Sequence, residues 1–112
     1  MNDLAAKQCV PCKGGVPPIA ETERTALLSK LDRWEIVEHS RLHKSYSFKN
    51  FIDALSWVNK IGEISEEQGH HPDLELGWGY VRVTVWTHKI DDLTESDFIL
   101  AAKFDEALSQ KL

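Results

Sequence analysis

The feature that most restricts this chain is a change of period around "QGHHPD", residues 68–73. Before it, Phe51, Ala54, Leu55, Val58 and Ile61 recur at helical spacing on one face. Asn50 opens that run with Asp53 three residues on, a spacing that suits an N-terminal cap. Pro72 ends it, because the residue before a proline is pushed out of the α region. Beyond it Val81, Val83 and Val85 alternate with Arg82, Thr84, Trp86 and His88, the period-two mark of a half-buried strand. A helix to about residue 69 and a strand around Val83 must therefore be joined through two histidines and a proline.

The remaining elements follow the same rules. "IAETERTALLSKL" reads as a short amphipathic helix, with Glu21 and Glu23 suited to its positive end. "WEIVEHSRLHKSYSF" reads as two antiparallel strands, roughly 34–39 and 41–48, around the polar break "EHS". Leu74 and Leu76 alternate with polar neighbours, and "GWG" bends or bulges the chain before the valine strand. Thr94 with Asp97 marks the start of a last helix carrying Phe98, Ala101, Ala102 and Leu108, with Phe104 off the stripe. The order helix, strand, strand, helix, strand, strand, helix predicts an α+β fold, an antiparallel sheet with helices gathered on one face.

The first eighteen residues, ending "KGGVPP", read as a flexible arm, which leaves 19–112 as a single domain. Two cysteines occur, Cys9 and Cys12 in "CVPC". One such pair cannot close a tetrahedral zinc site within a chain, and it follows no predicted strand, so a reduced thiol pair on the arm is expected. A net charge of −5 without a Lys/Arg block argues against non-specific binding to nucleic acid or anionic membranes. No apolar run has transmembrane length, and the N-terminus lacks the basic head and apolar centre of a signal peptide. A cytoplasmic location is the expectation.

Five histidines are present. His39 and His43 fall on the first strand pair without an acidic or motif context and are expected at the surface. His70 and His71 are adjacent, so on a helix their side chains diverge by about 100 degrees and cannot serve the same atom in the same way. Glu66 lies four residues before His70, on the same helical face, where its carboxylate and the helix C-terminus both favour an imidazolium. From these residues alone, a proton-transfer pair and a polar helix terminus both stand. Asp73 and Glu75 read as solvated acids, and Trp78 and Trp86 as core or interface aromatics.

"EEQGHHPDLELGWGYVRVTVWTHKIDDLTESD" resembles the signature of the pterin-4a-carbinolamine dehydratases. That pattern is an acid, three residues, His-His-Pro, an aromatic, then "TH" and an Asp beyond. Glu66, His70, His71, Pro72, Trp78, Thr87, His88 and Asp97 take those places here. The similarity extends through "FKNFIDALSWVNKIGEISEE" and "LTESDFILAAKFDE", over about residues 20–110. It implies a four-stranded antiparallel sheet with three helices on one side. It also implies dehydration of 4a-hydroxytetrahydropterin to quinonoid dihydropterin, in recycling of the pterin used by aromatic amino acid hydroxylases, without metal or organic cofactor.

The resemblance further implies a homodimer or homotetramer, with a hydroxylase as a candidate partner. His70, His71, His88 and Glu66 become the expected catalytic set, and Gly69, Pro72, Trp78, Trp86 and Thr87 the expected substrate-binding set. Gly69 stands where some relatives carry an acid. His70 and His88 are expected to exchange protons with the hydroxyl and the ring, His71 to hold the substrate, and Glu66 to orient and charge His70. The main alternative is a non-enzymatic interaction or regulatory protein, since in animals the family also serves as a dimerisation cofactor for a homeodomain transcription factor. A three-histidine metal hydrolase ranks below both, because adjacent histidines rarely point at one ion.

Overall fold

A computed structural model of the chain describes residues 3–9 and 18–111. A 3-10 turn (Asp3–Ala6) precedes helix α1 (Glu21–Leu28), strands β1 (Glu35–Val37) and β2 (Arg41–Ser47), helix α2 (Phe51–Gln68), strands β3 (Asp73–Gly77) and β4 (Tyr80–Val85), and helix α3 (Glu95–Lys111). The strands form one antiparallel sheet in the order β1-β2-β4-β3, and the helices pack on one face. The α+β architecture expected from the element order is the one observed.

Register decides which side chains meet the helices. Leu42 lies opposite Val85, Lys44 opposite Val83 and Tyr46 opposite Val81. Those three valines and Leu42 are fully buried beneath Ala54, Trp57 and Ile61 of α2 and Phe98 and Ala101 of α3. Each buried valine contributes about 1.5–3 kcal/mol by leaving water. The alternate residues, His43, Ser45, Arg82 and Thr84 among them, face away from the helices. One side of the sheet is therefore core and the other is polar.

Asn50 caps α2 as expected, its side chain accepting from the Asp53 N–H at 2.8 Å. The buried stripe, however, is Ala54, Trp57, Ile61, Ser65 and Gln68, and Phe51 is exposed. Trp57 packs on Tyr46 at 5.4 Å between ring centroids, and so large a ring anchors the helix rotation at its own position. The β3–β4 connection is a tight turn in which Gly79 has φ 79°, and a Cβ on Gly77 would fall 2.2 Å from the Tyr80 ring. "GWG" is a turn, with each glycine required for its own reason.

The arm expected over residues 1–18 does not hold for residues 3–9. Leu4 and Ala5 are buried in the core and pack against α3, and Lys103 Nζ donates to the Ala5 carbonyl at 2.8 Å. This cover explains why α3 is buried on nearly every side, Phe104 included. A two-residue apolar plug is too short for a periodic pattern to reveal it. Cys9 belongs to this packed segment, and burial pushes its thiol up to about 11 despite the nearby Lys103. Cys12 lies outside the described residues.

Lys44 is a cation on the buried face of the sheet. It donates to Asp105 Oδ1 at 2.8 Å and to the Asp32 carbonyl at 2.7 Å. Asp105 also accepts from Tyr46 Oη and Trp34 Nε1, both at 2.9 Å. Burial, then the Asp105 carboxylate, holds the Tyr46 hydroxyl firmly protonated. Removing that shared acceptor in Asp105→Ala is expected to cost about 1.5–3 kcal/mol. Urea denaturation followed by circular dichroism measures it.

Candidate active site

The two histidines follow directly from how α2 ends. Gly69 adopts φ 64° and ψ 29°, a left-handed C-terminal cap that turns the chain out of the helix axis. His70 N–H still donates to the Ser65 carbonyl at 3.2 Å, so its backbone is pinned while its side chain leaves the helical face. Its ring turns toward α3, where Nε2 stands 2.6 Å from Asp97 Oδ1. Asp97 is fully buried, and His70 nearly so, at 11% side-chain exposure.

Asp97 is held by a second set of contacts. Its Oδ2 accepts from the Thr94 N–H and from Thr87 Oγ1, each at 2.8 Å. Thr87 Oγ1 also lies 3.0 Å from Thr94 Oγ1. The Thr94 contact is an N-terminal cap working in reverse, with the third helical residue reaching back to satisfy an early N–H. A carboxylate so fixed presents an acceptor to His70, which keeps the proton on Nε2 and leaves Nδ1 to serve a ligand. The same logic orients a histidine beside a buried aspartate in hydrolases.

His71 and His88 are exposed. His71 Nε2 pairs with the exposed carboxylate of Glu66. The expected Glu66–His70 pairing is thus corrected. The turn at Gly69 breaks the four-residue helical relation and gives Glu66 to His71, while Asp97 takes His70. His88 begins the turn that the Thr87–Asp92 bridge closes and packs on Trp86, ring centroids 4.2 Å apart.

A groove of about 670 Å³ lies on the polar face of the sheet. Val37, Arg41, Pro72, Arg82, Thr84 and Trp86 line it, with the acids Glu38, Asp73 and Glu75. Its volume is in the range of small-molecule sites. Arg41 stacks over Trp86 at 4.3 Å and pairs with Asp91 at 2.5 Å, so that wall is braced. His71 precedes the lining residue Pro72, and His88 packs on the lining residue Trp86.

The expected binding residues divide accordingly. Pro72 and Trp86 line the groove. Thr87 is buried behind it and acts on Asp97. Gly69 serves as the cap that aims His70. Trp78 is misplaced by the expectation: it is 71% exposed in the turn at the far end of the β3–β4 hairpin. It lies six residues from Pro72 along the extended strand, about 20 Å. Of the two other histidines, His43 faces Glu35 at 3.7 Å, and His39 sits in the β1–β2 turn with φ 65°. Among the described residues no group of three or more His, Cys, Asp and Glu side chains could hold a metal ion.

Comparison with known proteins bears directly on this arrangement. The model of the family described as pterin 4 alpha carbinolamine dehydratase matches residues 17–107. The chain belongs to that family. A relative from Rubrobacter xylanophilus that carries the name of a pterin-4-alpha-carbinolamine dehydratase is 55% identical over 105 residues, 94% of this chain and 98% of its own. One of the same name from Alkaliphilus metalliredigens is 47% identical over 111 residues, 98% of this chain and all of its own. A crystal structure from Brucella melitensis, described as a transcriptional coactivator/pterin dehydratase, superposes with TM-score 0.75 at 27% identity. It covers 80% of this chain and 97% of that one.

Asp97 as the partner of His70 is what reading the sequence missed. Its spacing from Thr94 announces a helix cap, and a cap gives no hint that the other carboxylate oxygen reaches a second helix. In solution, ¹⁵N shifts of the neutral His70 ring should show the Nε2–H tautomer. Asp97→Asn should abolish that preference.

Proposed function

We propose that this protein is an enzyme that dehydrates a 4a-hydroxytetrahydropterin to the quinonoid dihydropterin, using histidines as acid and base. The observation that carries the reading is the His70–Asp97 pair, set at the same end of the sheet as the groove walls Pro72 and Trp86. A nearly buried imidazole oriented by a fully buried carboxylate is an arrangement suited to moving protons.

The chemistry asks for two proton transfers. The 4a-hydroxyl must gain a proton as its C–O bond breaks, because hydroxide leaves poorly. The adjacent ring nitrogen supplies the electron pair for the new C=N bond, and its N–H proton must go to a base. One proton is given, one is taken, and water departs. Imidazoles suit both transfers near neutral pH, each contributing about 10²–10⁴-fold.

His70, through the Nδ1 that Asp97 leaves available, and His88, on the Trp86 wall, take these two parts. His71 with Glu66 holds the substrate at the Pro72 side. Trp86 and Pro72 give the bicyclic ring apolar surfaces. Asp97 is the positioning residue, in the place once expected of Glu66. No metal or organic cofactor enters the scheme. Action in pterin recycling beside an aromatic amino acid hydroxylase, in the cytoplasm and as a homo-oligomer, is part of the same reading.

A purely non-enzymatic partner role is less well supported, because it gives no task to an imidazole that a buried carboxylate orients at the groove's end of the sheet. Metal-free protein is therefore expected to accelerate decay of 4a-hydroxytetrahydropterin, followed by absorbance. His70→Ala or His88→Ala should lower kcat about 100-fold or more without unfolding the chain. Full activity in the double variant excludes the scheme, and activity lost to a chelator and restored by zinc replaces it with a metal mechanism.

A further inference from the structure

The His70–Asp97 contact ties the C-terminal end of α2 to the first turn of α3. His70 lies just past the end of α2, and Asp97 lies in the first turn of α3. Each has a near neighbour that the N-terminal segment grips. Gln68, two residues before His70, is buried on α2, and its Oε1 accepts from the Cys9 N–H at 2.9 Å. Its Nε2 donates to Gln8 Oε1 at 3.1 Å. Ser96, the residue before Asp97, accepts through its carbonyl from Cys9 Sγ at 3.5 Å. One residue, Cys9, thus bridges the carriers of both halves of the pair.

The segment is itself anchored. Leu4 and Ala5 are buried in the core, and Lys103 of α3 holds the Ala5 carbonyl. Half-burial keeps the Cys9 thiol neutral near pH 7, so it serves as a donor to Ser96.

We propose that residues 4–9, acting through Gln68 and the Ser96 carbonyl, form a clamp that sets the spacing of His70 and Asp97. Gln68 and Cys9 are then positioning residues, neither touching substrate. The effect on turnover rests on the function proposed above; the effect on the His70 ring does not. A shift of about 1 Å in a proton-transfer pair can cost about 100-fold, so a loosened clamp should be visible in kcat.

The test uses the full-length chain carrying Gln68→Ala, Gln68→Glu, Cys9→Ala and, as a control, Lys7→Ala. The Lys7 ammonium reaches outward to an exposed ion pair with Glu95 at 3.2 Å. Two quantities are read: the His70 Nε2–H proton resonance, and kcat and KM for the carbinolamine. Gln68→Ala is expected to shift or broaden the resonance and lower kcat about tenfold or more, with KM within about twofold. Gln68→Glu keeps the acceptor for the Cys9 N–H and should recover part of both. Cys9→Ala should give a smaller change in the same direction, which retains the test if Gln68→Ala fails to fold. Lys7→Ala should change neither. A folded Gln68→Ala protein with an unmoved resonance or an unmoved kcat overturns the clamp. If the wild-type protein itself has no dehydratase activity, the proposed function fails and the resonance alone judges the clamp.

Discussion

The contact on which the site depends is a buried carboxylate with three donors around it. Asp97 satisfies the Thr94 N–H at the start of α3, the Thr87 hydroxyl just past β4 and the ring of His70 past α2. A buried carboxylate is costly unless its lone pairs are met, and here both oxygens are. The group therefore does two things at once. It caps a helix, and it draws the ends of three elements to one point. Any change that frees one donor also disturbs the other two.

The sheet supplies the second half of the arrangement. Alternation on β2 and β4 sends valines and Leu42 into the helices and leaves Arg41, Arg82 and Thr84 on the opposite face. The polar face therefore stays open for a groove, while the packed face fixes where β3 begins and β4 ends. Pro72 and Trp86 mark those two points, just beyond the last pair of the ladder, Asp73 opposite Thr84. Arg41 stacked on Trp86 stiffens one wall, a contact worth about 0.5–1 kcal/mol at an exposed site. The same fold that buries a core thus positions an aromatic plate and a proline beside the histidine-bearing turns.

Much of this was legible in the sequence, and the losses have physical causes. The Asn50 cap, the end of α2 near Pro72 and the alternating valines reappear in the structure because each is a local rule acting within a few residues. The rotation of α2 was misread because one large side chain, Trp57, outweighs a stripe that includes the exposed Phe51. The docking of residues 3–9 was missed because two small apolar contacts carry no period. At the site, residue identity was legible and pairing was not. Glu66 and His70 have the right helical spacing, but Gly69 turns the chain before the relation can operate. Trp78 shared the signature's spacing while lying at the wrong end of its hairpin. Contacts across elements are set by the fold, and spacing along the chain does not reveal them.

The position of the pterin ring decides which side chains can exchange its protons, and a crystal structure with a bound dihydropterin tests that most directly. The ring is predicted between Pro72 and Trp86, with His70 Nδ1 and a nitrogen of His88 reaching opposite faces of the carbon that bears the leaving hydroxyl. A ring bound elsewhere, or one that leaves His70 sealed behind the wall, would contradict it.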